Sequence, residues 1–167
     1  YAAISVDTPT GGDSVSMRYR FLNWTGTDVA DAAAASTTIL MDAPKEAKAF
    51  FIQQFYLTMS TNLGTVTPDS GWYDVGSIVS IEAFAPEVVE GQGYVWHGWT
   101  GTGEISYSGL TNPARVTMNS AISETAHWKI DPILTITISN ETIASGDRII
   151  VYGTVSPVSS SVEITVT

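Results

Sequence analysis

The chain says one phrase twice. Residues 19–28, YRFLNWTGTD, and residues 94–103, YVWHGWTGTG, match at Tyr19/Tyr94, Trp24/Trp99, Thr25/Thr100, Gly26/Gly101 and Thr27/Thr102, and Phe21 stands where Trp96 stands. With only five tryptophans in 167 residues, a matched pair of them is a poor candidate for coincidence. An internal repeat constrains a fold more tightly than local propensity does, because related units bury their apolar faces in the same way.

The match extends in both directions. Upstream, AISV (3–6) aligns with IVSI (78–81) at the same offset of 75. Downstream, TTILMDAPKEAKAFF (37–51) aligns with PARVTMNSAISETAHW (113–128), where the offset reaches 77 and pairs Met41 with Met118, Ala49 with Ala126 and Phe51 with Trp128. The second copy is the fuller one, and the first lacks a counterpart to residues 55–75. The domain map is therefore a partial unit over 1–53, a complete unit over 54–130 and a different segment over 131–167. Strand alternation marks FYLTMST (55–61), IVSIEAF (78–84), YVWHGW (94–99), ARVTM (114–118) and SETAHWKI (123–130). In the last segment Leu134, Ile136 and Ile138, then Val162, Ile164 and Val166, alternate with polar residues as in a β-sandwich that stops early.

Local propensity and the repeat disagree at two places. DVADAAAAS (28–36) and APKEAKAFF (43–51) suit a helix by composition. The repeat aligns 45–51 with SETAHWK and predicts a strand with Ala47, Ala49 and Phe51 on one face. A helical turn within 29–35 stays open.

Composition narrows the function classes. The net charge is −10 and only seven residues are Lys or Arg, which disfavours nucleic acid and anionic lipid as partners. No apolar run is long enough to span a membrane. Cysteine is absent, so disulfides and thiolate metal sites are excluded. Asn23-Trp-Thr and Asn140-Glu-Thr are glycosylation sequons and lean, with the low charge, towards an extracellular location at the cell surface.

Three motif series, "YLTxSTxxGTVTPxSGWYxxGS", "YVWxGWTGxG" and "NPxxVTMxxxxxETAxW", occur in that order, and together they resemble the divergent internalin B-type repeat. The resemblance covers 54–130 fully and 1–53 in part, and 131–167 is similar to the start of a bacterial Ig-like module. It implies an all-β fold: tandem small β-sandwich or β-roll units followed by an incomplete Ig-like segment. It further implies a role as stalk, spacer or adhesive module in bacterial or archaeal surface proteins. No catalytic residue carries over.

The repeated aromatics admit two readings, a platform for stacking on sugars or a repeated core. Alternation favours core for Tyr19, Phe21, Trp24, Tyr94, Trp96 and Trp99, since small units without disulfides need large buried side chains. Trp72, in the turn-like DSGWYD, is the aromatic expected at the surface, with Tyr73 beside it as a second candidate glycan contact. His97 and His127 align with Leu22 and Phe50, which argues for surface positions rather than metal ligation or catalysis. Asp28, Asp31 and Glu104 lie in long loops where calcium is one reading and a solvated acidic surface the better one. No spaced carboxylate pair or nucleophile elbow is present, so catalytic, cofactor and metal residues are all expected to be absent.

The expected function is a non-enzymatic structural segment, a stalk, sheath or filament; the alternative is a carbohydrate-binding or adhesive module. Expected partners are other copies of the chain or neighbouring domains, with glycans as a candidate ligand. Both ends look cut within a unit. Either the chain is a piece of something longer, or strands such as SSVEITVT (160–167) complete the partial unit of the next copy in a filament.

Overall fold

A computed structural model describes residues 1–13, 15–88 and 92–132. The Ig-like reading of 131–167, the Asn140 sequon and the 160–167 strand fall almost entirely outside these residues. Among the described residues there is no helix. Rich in β-branched and aromatic side chains, the described residues form ten strands: β1 (Ala2–Ser5), β2 (Met17–Gly26), β3 (Ser36–Ile39), β4 (Ala47–Thr61), β5 (Thr65–Thr67), β6 (Gly71–Asp74), β7 (Ile78–Phe84), β8 (Gln92–Thr102), β9 (Ala114–Thr117) and β10 (Ile122–Pro132).

The strands form three sheets. β1 pairs β3; β5, β7 and β9 make a second sheet; the path β2-β4-β10-β8, with β6 also on β4, makes the third. All pairings are antiparallel except β10 with β4, which is parallel. β4 is a single 15-residue strand. Its first half carries the last strand of copy one, and its second half carries the first strand of copy two.

The two copies agree to the level of register. β2 on β4 pairs Phe21 with Phe51 and Trp24 with Ala49, with a bulge that leaves Leu22 unpaired. β8 on β10 pairs Trp96 with Trp128 and Trp99 with Ala126, with a bulge that leaves His97 unpaired. A bulge turns its extra residue out of the ladder, so both Leu22 and His97 are exposed, and Leu and His become interchangeable there. The repeated glycine is a matter of close approach. A Cβ on Gly26 would stand 2.5 Å from the Glu46 carbonyl oxygen, and one on Gly101 would stand 2.5 Å from that of Tyr107.

Register corrects the sequence alignment in one place. Ile4 lies opposite Thr37 as Ile81 lies opposite Ala114, so β1 corresponds to β7 at an offset of 77 rather than 75. The shift is even, so each side chain stays on its face. The expected strand at 45–51 is present from Ala47, with Ala47, Ala49 and Phe51 half-buried on one face and Lys48 and Phe50 exposed on the other. Residues 29–35 hold an isolated bridge from Val29 to Ile39 followed by bends, without a helical turn.

The core sits in copy two, between the sheets. Leu57, Met59, Ile122 and Ala126 from one sheet join Val79, Ile81, Ala114 and Val116 from the other, with Trp99 and Met118. Among the described residues of copy one, only Phe21, Trp24 and Ile39 are buried. Tyr19, expected inside, is 37% exposed, and Tyr94 and Trp96 are half-buried. Alternation assigns a face to a side chain but does not say whether another element covers that face.

Candidate functional site

The repeated phrase builds an aromatic triad in each copy. Phe21 contacts Trp24 at 5.7 Å and Phe51 at 5.9 Å between ring centroids. Trp96 contacts Trp99 at 5.6 Å and Trp128 at 5.0 Å. These tilted and edge-on contacts suit the ring quadrupoles and add to the burial of apolar area. The backbone around the triad repeats as well: Trp24 N donates to Ala32 O and Trp99 N to Gly109 O, both at 2.8 Å. The indole Nε1 of Trp24 donates to Ala34 O and that of Trp96 to Leu110 O. The triads are packing.

Between the copies runs a polar joint. Arg18 and Arg20 are alternate residues on β2 and so project from one face. Arg18 Nε donates to Gln54 Oε1 at 2.9 Å, and Gln54 Nε2 donates to Asp74 Oδ1 at 2.8 Å. Arg20 completes the chain with a 2.8 Å ion pair to Asp74. Gln54 is buried, whereas the Arg20 and Asp74 side chains remain partly solvated, so the pair itself contributes modestly. The Arg20 hydrogen bond, helped by Gln54, holds the Asp74 carboxyl below the usual carboxylate range. Sequence reasoning missed this network. Its signal was two of seven cations at alternate positions of one strand.

Trp72 borders the joint. It lies on strand β6 rather than in a turn, half-buried, with the Arg18 guanidinium 4.4 Å from its ring centroid and Tyr56 edge-on at 5.1 Å. Together with Asp7, Pro9, Thr10 and Gly11, Arg18 and Trp72 line a recess of about 420 Å³. The recess offers a cation, a carboxylate, a hydroxyl and an aromatic side chain. Tyr73, the next residue on the strand, points the other way and packs against the core. Burial, with Asp69 nearby, pushes its phenol pKa up. The two candidate glycan contacts therefore lie on opposite faces.

The remaining candidates are dispersed. Asn23 is half-buried on β2, its amide nitrogen donating to Trp24 O at 3.2 Å. His97 is exposed and His127 half-buried. Asp28 pairs with Lys45 across β3, and Asp31 Oδ1 accepts from Ala33 N within its own loop. Among the described residues no group of three or more His, Asp or Glu side chains converges to hold a metal. Glu124 was also missed. It is fully buried on β10, where copy one has Ala47, and its Oε1 accepts from Tyr107 N at 2.7 Å while Oε2 has no partner. Burial pushes its pKa up.

Residues 17–54 and 56–132 match the family model of the divergent InlB B-repeat domain, together well over half of the chain. No curated protein and no solved structure matches the chain. Repeats of this family are found in bacterial surface and extracellular proteins and are typically non-catalytic. Two matched segments, two aromatic triads of one geometry and two antiparallel strand pairs of one register lead to one conclusion: the chain belongs to the divergent InlB B-repeat family of surface-protein repeat modules.

Proposed function

We propose that this chain is a structural module of a cell-surface protein, a segment of a stalk, sheath or filament, in which adjoining units are joined by shared β-strand backbone. The observation that carries this reading is β4, one uninterrupted strand that belongs to both copies. A flexible linker would let the units swing; a continuous strand with the Arg18–Gln54–Asp74–Arg20 joint beside it makes them bend and bear load together. Single-molecule stretching tests the reading. Residues 17–132 should yield in one event. Two well-separated events, with one copy extending while the other stays folded, would overturn it.

The recess beside Trp72 supports a second reading, a carbohydrate-binding or adhesive module at the extracellular surface. Arg18 and Trp72 line it together, so a sugar seated there would meet a guanidinium beside an aromatic ring. Saturable binding on a glycan array, lost in Trp72→Ala, would favour it over the purely structural role.

A further inference from the structure

The outer face of the largest sheet carries two recesses. Gln54, Tyr56 and Thr58 alternate on β4 and so project from one face. Register sets Arg18 and Asp74 beside Gln54, Trp72 beside Tyr56, and Ser123, with Thr102 beyond it, beside Thr58. The recess with Arg18 and Trp72 in its wall lies at one end of this face. A second recess of about 260 Å³ lies at the other, with Tyr56, Thr58, Thr102 and Ser123 in its lining. Tyr56 and Trp72, edge-on at 5.1 Å, stand in the row between. At the usual strand rise, the rows at Gln54 and Thr58 are about 13 Å apart along β4.

Both recesses present polar groups that the fold does not use. Arg18 gives its Nε to Gln54, and its two terminal nitrogens have no partner among the described residues. Asp7 is exposed, and its carboxylate has no partner among them either. The same holds for the side-chain hydroxyls of Tyr56, Thr58, Thr102 and Ser123. One row further along the sheet, the hydroxyls of Ser60 and Thr125 bond to each other at 2.8 Å. Neighbouring hydroxyls on this face can therefore satisfy one another, and those in the row at Thr58 do not.

We infer that this face is a groove for an extended chain of neutral sugars, held in a recess at each end and resting between them on Tyr56 and Trp72. A sugar hydroxyl both donates and accepts. Arg18 supplies donors and Asp7 an acceptor at one end, and the hydroxyls of Thr58, Thr102 and Ser123 supply either at the other. The apolar C–H face of a sugar ring suits aromatic lining with a few placed polar groups. Charge decides the class of glycan. The cation and the carboxylate offset each other in the first recess, the second has no charged residue in its lining, and a net charge of −10 repels a polyanionic chain. A single sugar ring cannot span about 13 Å, so chain length is part of the recognition. The inference rests on the carbohydrate-binding reading above and names the glycan which that reading leaves open.

The test is calorimetry on the whole chain with linear glucan, mannan, xylan and galactan oligomers, from monosaccharide to hexasaccharide, beside uronic-acid oligomers of the same lengths. At least one neutral series should bind, with affinity rising about tenfold from disaccharide to hexasaccharide as the second recess is reached. Asp7→Ala, and Thr58→Val combined with Ser123→Ala, should each weaken hexasaccharide binding about tenfold. Neither should move the denaturation midpoint, because these side chains have no hydrogen-bond partner in the fold. Equal affinity for disaccharide and hexasaccharide, or hexasaccharide binding untouched by Thr58→Val with Ser123→Ala, would overturn the extended groove and leave a carbohydrate site confined to one recess. Binding of the uronic-acid oligomers alone would overturn the neutral class and leave the carbohydrate-binding reading standing. No binding by any oligomer would remove both.

Discussion

Met41 and Met118 hold the same place in the repeat, yet Met41 is 53% exposed and Met118 is fully buried. The difference lies in what surrounds each copy. Residues 55–75 supply Leu57, Met59 and partly buried Val66 and Tyr73 to the cluster that encloses Met118. Among the described residues no equivalent side chains enclose Met41. Met118→Ala should therefore cost about 2–5 kcal/mol, the usual range for truncating a buried methionine. Met41→Ala should stay within about 0.5 kcal/mol, as for a surface substitution. Urea denaturation of the two variants side by side checks the contrast.

Trp24 and Trp99 are the two tryptophans that the repeat places deepest. Trp99→Ala should destabilise by about 3–5 kcal/mol. Acrylamide should quench neither Trp24 nor Trp99 efficiently while reaching Trp72. Single-tryptophan variants would resolve the contributions, and free quenching of Trp99 would contradict its packing against Trp96.

The joint between the copies depends on buried Gln54. Gln54→Ala strips a partner from both Arg18 and Asp74 and should cost about 1–3 kcal/mol. It should also loosen the coupling of the copies, so that the force-extension record shows two events in place of one. A variant that loses stability but keeps a single event would show that β4 alone couples them.

Two carboxyls should give opposite pH trends. The folded pKa of Asp74 is lowered by its Arg20 and Gln54 hydrogen bonds, so its contribution is present above the unfolded value near 3.8 and fades as pH falls through the folded one. The folded pKa of Glu124 is raised above 4.5 by burial. Between 4.5 and that raised value the folded state holds a proton that the unfolded state has lost, so stability declines as pH rises through this window. Glu124→Gln should abolish that decline and exceed the parent in stability at pH 7. Denaturation midpoints of parent and variant from pH 4 to 8 would show it.

Asn23 should be a poor glycan acceptor. Its amide nitrogen is held by Trp24 O within a half-buried strand. Intact mass and peptide mapping of protein from its native host should find it unmodified; a modified Asn23 would mean that glycosylation precedes closure of β2 on β4.

The duplicated phrase carried the strand content, the match of Phe21, Trp24 and Phe51 to Trp96, Trp99 and Trp128, and the strand at Ala47, Ala49 and Phe51 against a helical composition. These follow from sequence because side-chain periodicity and the demand that equivalent residues pack equivalently are properties of order along the chain. The fusion of two strands into β4, the bulges at Leu22 and His97, the exposure of Tyr19 and Met41, and the Arg18–Gln54–Asp74–Arg20 joint did not follow. Each depends on which segment, distant in sequence, lies against a given edge or face. Trp72 shows the division most clearly. Its aromatic ring was evident from its identity alone, but only the fold could bring Arg18, 54 residues earlier, over that ring and turn Tyr73 into the core.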